Sequence, residues 1–139
     1  MAKASKKKSW AEKMDKPSTP EVKILEKGFA DLKDGSKMLI PTPRLIEAYL
    51  QHSTPGKKVD MKQMRADLAA ENGADYTCPL TTGIFLRILA EYTNELHLAG
   101  KKANTLPPVW RAIQPGLPVW KKLTFDKKWM EEAWTEETN

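Results

Sequence analysis

The chain contains one cysteine, two histidines and no long apolar run, and each of these scarcities excludes a class of protein. A single cysteine excludes an internal disulfide bond and fits a reducing compartment, so we expect a cytoplasmic protein, associated with the nucleoid if it binds DNA. No apolar stretch approaches the roughly 20 residues that a membrane-spanning helix needs. No hydrophobic region follows the N-terminal lysines, as it would in a secretory signal. The sequence therefore predicts no membrane partner.

Signatures of metal and cofactor chemistry are also missing. His52 and His97 lie far apart in the sequence and have no clustered acidic or thiol partners, which argues against a metal site. The chain has no glycine-rich phosphate loop, no His-Glu-x-x-His pair and no Gly-x-Ser-x-Gly nucleophile elbow. We therefore expect neither a metal nor a cofactor.

The charge is positive but unevenly distributed. The 139 residues carry a net charge of +5, of which the last fourteen contribute −3 and the remainder +8. Residues 1–20 contain Lys3, Lys6, Lys7 and Lys8 and are expected to form a disordered basic tail. A positive body with such a tail attracts a polyanion such as DNA through counterion release, although solubility alone also explains the charge.

Residues 61–92 contain two helical patterns separated by a turn. The first places Met61, Met64 and Leu68 at spacings of three and four, and Gly73 ends it as a residue that accepts the left-handed cap conformation. The second begins near Pro79 and has an apolar face formed by Ile84, Phe85, Ile88, Leu89, Tyr92 and Leu96. This layout is typical of a helix-turn-helix that docks on DNA, and also of a plain helical hairpin in a bundle.

Candidate DNA contacts follow from that layout. The second helix of a helix-turn-helix presents its first turns to base edges, which indicates Thr81, Thr82, Gly83 and, one turn later, Arg87. Lysines around the helix pair are candidate phosphate contacts, namely Lys57, Lys58, Lys62, Lys101 and Lys102. These residues predict an interface with double-stranded DNA.

The rest of the chain predicts supporting helices. Val22, Leu25, Phe29 and Leu32 suggest a short amphipathic helix that ends near Gly35. Thr42-Pro43 is a helix cap followed by a first-turn proline, and a last helix is expected over roughly residues 126–135. Strand signals are weak, so we expect a mainly α domain over residues 21–139, with at most a small β-ribbon and acting as a monomer.

Several segments of the chain occur in the same order as similar segments in a known protein family. They are Pro41-Thr42-Pro43 with its helix, residues 55–64 (Pro-Gly-Lys-Lys-Val-Asp-Met-Lys-Gln-Met), the helix from Pro79, and Pro108-Val109-Trp110-Arg111-Ala112-Ile113. Over roughly residues 38–115 the chain resembles the C-terminal domain of the methylated-DNA-protein cysteine methyltransferases. The resemblance implies a winged helix-turn-helix that enters the minor groove, flips O6-alkylguanine and transfers the alkyl group to a cysteine.

The chemistry of that family does not carry over. Its acceptor cysteine falls at Val109, whose isopropyl side chain has no nucleophile, so transfer at that position is excluded. Its catalytic histidine falls at Trp110, although Pro108 and Arg111 match its motif, and Asn104 matches its hinge asparagine. The resemblance therefore implies the scaffold without the reaction.

The residues that flip the base in this family are replaced as well. The tyrosine that rotates the target nucleotide falls at Met61, and the arginine that fills the emptied stack falls near Gly83, with Arg87 one turn later. The alkyltransferase-like branch of the family also lacks the acceptor cysteine, binds alkylated DNA without repairing it and recruits excision repair. Similarity to that branch implies a DNA-binding protein that senses O6-alkylguanine and has a repair protein as partner.

Two alternatives remain open. Cys78 lies at the amino end of the second helix, where the helix dipole stabilises a thiolate, so an alkyl-accepting repair protein that uses Cys78 is one alternative. The other is a helical protein-protein interaction module, in which the helix pair contacts a protein partner and the acidic, tryptophan-bearing C-terminal segment serves as the docking site.

Overall fold

The computed structural model describes residues 8–28 and 32–139. Within these ranges the chain is mainly α, with six helices and three short strands. The helices are α1 (Trp10–Met14), α2 (Pro43–Gln51), α3 (Met61–Glu71), α4 (Pro79–Leu98), α5 (Pro118–Lys122) and α6 (Lys128–Thr138). The strands are β1 (Glu21–Ile24), β2 (Lys37–Ile40) and β3 (Tyr76–Thr77), and two single 3-10 turns, Ala103–Thr105 and Val109–Arg111, lie between α4 and α5.

The predicted starts of α2, α3 and α4 are confirmed, and a capping side chain or, for α4, the first-turn proline Pro79 determines each of them. The Thr42 hydroxyl accepts a hydrogen bond from the Leu45 amide at 3.0 Å, and Pro43 occupies the first turn of α2. The Asp60 carboxylate accepts from the Lys62 amide at 2.9 Å and caps α3. Gly73, at φ 68°, turns the chain after α3 as predicted.

A three-stranded sheet takes the place of the helix predicted after residue 21. Strand β1 pairs antiparallel with β2, so that Glu21 faces Ile40, and β2 pairs parallel with β3. The prediction of a helix through Val22, Leu25 and Leu32 is wrong, because β1 contains alternating charged and β-branched residues that suit a strand and gains its hydrogen bonds from β2. Phe29, also assigned to that helix, lies outside the described residues.

The expectation of a disordered tail through residue 20 is corrected for residues 8–20. Ser9 and Glu12 form a reciprocal capping box, with hydrogen bonds of 3.1 and 3.0 Å, that starts α1. Met14 is fully buried in the core, and Asp15 forms an ion pair with Arg44 of α2 at 2.9 Å. The segment therefore belongs to the folded domain from Ser9 onward. Residues 1–7 lie outside the described ranges.

Helix α4 packs most of its predicted apolar face against the core, but the buried surface is shifted around the helix at one edge. Ile84, assigned to the core, is 47% exposed, whereas Thr82, Glu91 and Thr93 are buried. The two threonine hydroxyls donate to carbonyls one turn earlier, those of Cys78 and Leu89, each at 2.7 Å. A threonine whose hydroxyl bonds to its own helix brings no unpaired polar group into the core. Hydrophobic periodicity alone therefore does not predict that Thr82 and Thr93 are buried.

One hydrophobic core joins the ends of the chain to the middle helices. Its fully buried members come from every part of the fold, among them Met14, Leu39, Ile46, Met64, Leu86, Leu89, Val109, Ile113 and Met130. Helix α6 packs against the Val109–Arg111 turn. Trp129 of α6 donates to the Asn94 side chain at 3.0 Å and stacks on His97, with 4.7 Å between ring centroids. The acidic C-terminal segment is therefore an integral part of the domain.

Replacing Met14 tests whether α1 is structural. We expect Met14→Ala to lower the free energy of unfolding by about 2–5 kcal/mol, because the truncation leaves a cavity in the core. Chemical denaturation monitored by circular dichroism measures the change. Ala11→Ser, on the exposed side of the same helix, is the control and should stay within about 0.5 kcal/mol of the parent chain. Equal stabilities for the parent and Met14→Ala would show that α1 contributes nothing to the fold.

Candidate nucleic-acid interface

The start of α4 is held by the sheet. Residues 72–78 connect α3 to α4 and include β3, whose two residues pair with Met38 and Leu39 of β2. The Cys78 amide then donates to the Leu39 carbonyl at 2.9 Å, immediately before Pro79 opens the helix. The Thr77 hydroxyl donates to the Arg65 carbonyl in α3 at 2.7 Å. The orientation of α4 relative to α3 therefore depends on strand pairing as well as on a turn.

The outer face of the first half of α4 carries an exposed stripe. Leu80 lies three and four residues before Gly83 and Ile84, and Arg87 lies four and three residues after them, so all four lie on one side of the helix. Leu80 is 72% exposed and Ile84 is 47% exposed, both high values for large aliphatic side chains. A Cβ atom built on Gly83 meets no atom within 4 Å, so the helix surface is open at that position. We call these four residues the α4 stripe.

The two threonines predicted to contact DNA differ in position. Thr82 is fully buried and its hydroxyl is bonded to the Cys78 carbonyl, so its selection as a DNA contact is wrong. Thr81 is half-buried, and its hydroxyl lies 3.4 Å from the same carbonyl. Of the four positions predicted on this helix, Thr81, Gly83 and Arg87 remain accessible.

Arg87 is accessible but partly engaged. Its Nε atom lies 3.9 Å from the Glu91 carboxylate, and its side chain is 36% exposed. Its guanidinium also lies 5.7 Å from the centroid of the Trp10 ring in α1. Arg87 therefore marks the place where α1 meets the α4 stripe.

The lysines predicted to contact phosphates fall into two groups. Lys57, Lys58 and Lys62 are exposed around the start of α3, next to Met61, which packs partly into the core. Lys101 and Lys102 are exposed beyond the carboxyl end of α4. Because α4 has 20 residues, its two ends lie about 30 Å apart. The structure therefore does not bring Lys101 and Lys102 together with the α4 stripe.

The motif that carries the family resemblance is buried. Val109 is fully inaccessible, Trp110 is 6% exposed and Arg111 is 8% exposed. Asn104, Pro108, Trp110 and Arg111 nevertheless border one cavity of about 450 Å³, closed on another side by Glu137 of α6. Four of the five residues predicted for this motif and its pocket thus line a common cavity, and Val109 lies in the core beside it.

Arg111 holds three parts of the domain together. Its guanidinium binds both carboxylate oxygens of Glu137, at 2.9 and 2.7 Å, and donates to the carbonyl and hydroxyl oxygens of Ser53, at 3.0 and 3.1 Å. The Arg111 carbonyl accepts from the Val59 amide, and the Gly56 amide donates to Glu137, each at 2.8 Å. We call this set of contacts the Arg111 clamp. The Arg111 side chain is therefore occupied by structural contacts, a role that the sequence motif does not reveal.

The clamp also sets the ionisation of Glu137. Burial by itself would raise the pKa of this carboxyl group, but hydrogen bonds from Arg111 and the Gly56 amide, together with the positive charge of Arg111, outweigh burial and lower the pKa below its ordinary value. Glu137 therefore remains ionised and paired with Arg111 at neutral pH.

A second cavity, of about 600 Å³, opens between α2 and α3. Lys57 and Lys58 lie on its border with His52, and Tyr49 forms part of its wall. The Tyr49 hydroxyl donates to Asp67 at 2.6 Å, and its pKa is raised by burial and by that carboxylate. The hydroxyl is thus held as a donor within the fold.

Cys78 has no evident base. Its side chain is half-buried at the N-cap of α4. No hydrogen bond joins its thiol to a histidine or a carboxylate in residues 8–28 and 32–139. The same part of the chain contains no group of three or more histidine, cysteine or acidic side chains placed to hold a metal ion. None of its helices combines the length and apolarity needed to cross a bilayer.

Comparison of the chain with protein-family models, with characterised proteins and with solved structures gives no match.

Breaking the Arg111 clamp should destabilise the domain. We expect Glu137→Ala to lower the free energy of unfolding by about 3 kcal/mol, because it leaves the buried Arg111 guanidinium without its anion. Glu136→Ala, an exposed neighbour on α6, is the matched control and should change stability by less than about 0.5 kcal/mol. Urea denaturation measures both.

The pH dependence of that difference is a further check on the clamp. Since the folded-state pKa of Glu137 is lowered, its contribution is present above the unfolded-state pKa of about 4.3 and is lost as the pH falls through the folded-state value. The difference between the parent and Glu137→Ala should therefore shrink below about pH 4. A difference that is absent at pH 7 would contradict the assignment of this ion pair.

Proposed function

We propose that the protein binds double-stranded DNA through the α4 stripe. The observation that supports this most directly is the exposure of Leu80 and Ile84 on either side of Gly83, on the outer face of the second helix of the pair. Aliphatic side chains contact thymine methyl groups in the major groove, and they also insert between base steps from the minor groove. A glycine between them lets the helix backbone approach the duplex closely.

Charge supports the same partner. The chain outside its last fourteen residues carries a net charge of +8, which favours a polyanion over a neutral protein surface. Lys57, Lys58 and Lys62 are exposed near the start of α3 and supply phosphate contacts. The β1–β2 hairpin, joined to α4 through β3, acts as the wing of a winged helix-turn-helix.

The alternative is a helical protein-protein interaction module in which the helix pair contacts a protein partner. One of its two elements, a free C-terminal docking segment, loses support, because Trp129 and Trp134 pack against the core and Glu137 belongs to the Arg111 clamp.

The two exposed leucines of α4 provide a matched test of DNA binding. Leu80 and Leu98 lie at opposite ends of the helix and are 72% and 76% exposed, so glutamate is tolerated structurally at both positions. We expect Leu80→Glu to weaken binding to a fluorescent 20-base-pair duplex about tenfold, because it places an anion against the phosphates. Leu98→Glu, which makes the same change in charge, should bind like the parent chain. Fluorescence anisotropy titration measures the affinities.

Three results would contradict this assignment. If the parent chain does not bind the duplex at low salt, the DNA-binding function is wrong. If both glutamate variants lose affinity equally, only the net charge matters and the α4 stripe is not the interface. If Leu98→Glu alone loses affinity, the interface lies at the other end of the helix.

A narrower proposal is that the protein senses O6-alkylguanine without repairing it. The cavity bordered by Asn104, Pro108, Trp110 and Arg111 supports this reading, because it could admit an extruded base next to the motif that resembles that of the alkyltransferases. Since Val109 is buried and has no nucleophile, alkyl transfer at this position does not occur.

Binding to a modified duplex tests this narrower proposal. We expect affinity for a duplex that contains one O6-methylguanine to exceed affinity for the matched unmodified duplex roughly tenfold, within the range that one altered base pair contributes. Competition anisotropy at constant salt measures the ratio, and equal affinities would leave a general DNA-binding protein. Mass spectrometry of the incubated protein should show no methyl-sized gain. A gain that disappears in Cys78→Ser would instead identify Cys78 as an alkyl acceptor.

A further inference from the structure

Helix α1 brings cations to the side of α4. Two positive groups meet the ring of Trp10 from different helices. The Lys13 ammonium of α1 lies 4.3 Å from the ring centroid, and the Arg87 guanidinium of α4 lies 5.7 Å from it. Cation–π contacts of this kind hold charge in place without neutralising it. The Trp10 ring therefore connects α1 to Arg87, the positively charged residue of the α4 stripe.

The direction of α1 determines where its remaining cations lie. Trp10, at its start, is level with Arg87. Asp15, just after its end, pairs with Arg44, whose guanidinium lies 5.3 Å from the Tyr92 ring centroid. The two helices thus run in the same direction, so Lys8 and Ser9, which precede Trp10, lie toward the amino end of α4. Each residue of extended chain spans at most about 3.3–3.6 Å, so Lys8 lies within reach of the α4 stripe.

Lysines outnumber acids in this segment, because Lys8, Lys13 and Lys16 stand against Glu12 and Asp15, although Glu12 attracts both Lys8 and Lys16. No salt bridge joins Lys8, Lys13 or Lys16 to a carboxylate in the ranges that the structure describes. The nearby acids have other partners: Glu12 caps α1 through Ser9, Asp15 pairs with Arg44, and Glu91 accepts from the amide and hydroxyl of Thr124 at 2.8 and 2.6 Å.

Two of these lysines are also close to each other. A side-chain contact with Lys16, and repulsion between the two ammonium groups, lower the pKa of Lys8. The Glu12 carboxylate already relieves part of that repulsion, and a phosphate close to both side chains would relieve more of it.

We infer that Lys8, Lys13 and Lys16 form a second phosphate-binding surface, on which a duplex docked against the α4 stripe rests its sugar-phosphate backbone. This inference rests on the proposed DNA binding and extends it to an element outside the helix pair. In the segment around α1, Met14 is buried in the core, whereas Lys8 and Lys16 are exposed. The anchoring of Met14 in the core gives this surface a defined position relative to α4.

The salt dependence of duplex binding tests the surface. Log affinity falls with log salt concentration by about 0.9 for each phosphate contact, so the double variant Lys8→Gln/Lys16→Gln should reduce the slope by up to about 1.8. Both side chains are exposed, and melting curves should match that of the parent chain. The matched control is Lys127→Gln/Lys128→Gln, which removes the same charge. Lys128 lines a cavity with His97 and Leu98 at the carboxyl end of α4, far from the stripe, so the slope of the control should remain that of the parent.

The outcomes separate this inference from the function on which it rests. Failure of the parent chain to bind the duplex at low salt would end both. Parent binding with an unchanged slope in Lys8→Gln/Lys16→Gln would overturn the second surface and leave the α4 stripe as the interface. Equal reductions in both double variants would also overturn it, because the effect would then reflect net charge alone.

Discussion

The fold depends on the buried ion pair between Arg111 and Glu137. An arginine that is 8% exposed requires an anion and acceptors for its remaining donors, and Glu137 and Ser53 provide them. To do so, α6 must lie across the Val109–Arg111 turn, and the loop before α3 must fold back on both. The position of α3, and through β3 the position of α4, therefore depends on the Arg111 guanidinium. The acidic end of the chain is needed for the same reason, since it brings the anion to this arginine.

Local signals in the sequence predicted local structure well. The starts of α2, α3 and α4 follow from a capping side chain or a first-turn proline, and both kinds of signal act within three residues. Strand β1 and helix α1 were missed because each depends on partners elsewhere in the chain, β2 in one case and the core around Met14 in the other. One edge of the buried face of α4 was misjudged, because Thr82 and Thr93 satisfy their hydroxyls within the helix and can therefore enter the core.

The candidate site was predictable only in part. The sequence pointed to the first half of α4, and Gly83 and Arg87 do lie on its open face. Leu80 was missed because nothing in the sequence distinguishes an exposed leucine from a buried one, and Ile84 was assigned to the core for the same reason. Arg111 matched a functional motif, but its guanidinium is satisfied by Glu137 and Ser53, which no spacing rule can foresee. The separation of Lys101 and Lys102 from the stripe emerges only once the length and orientation of α4 are known.

The contacts of the Arg111 clamp have a consequence for how the chain folds. Although the protein is mainly helical, the Gly56–Glu137 hydrogen bond joins residues 81 positions apart, and the Lys37–Asp75 bond joins residues 38 apart. Closing such loops costs chain entropy before the contacts can repay it, and proteins dominated by distant contacts fold more slowly than helical bundles of equal size. Helices α2, α3 and α4 can form early from their own caps. The domain reaches its final arrangement only when its last helix returns to the loop before α3.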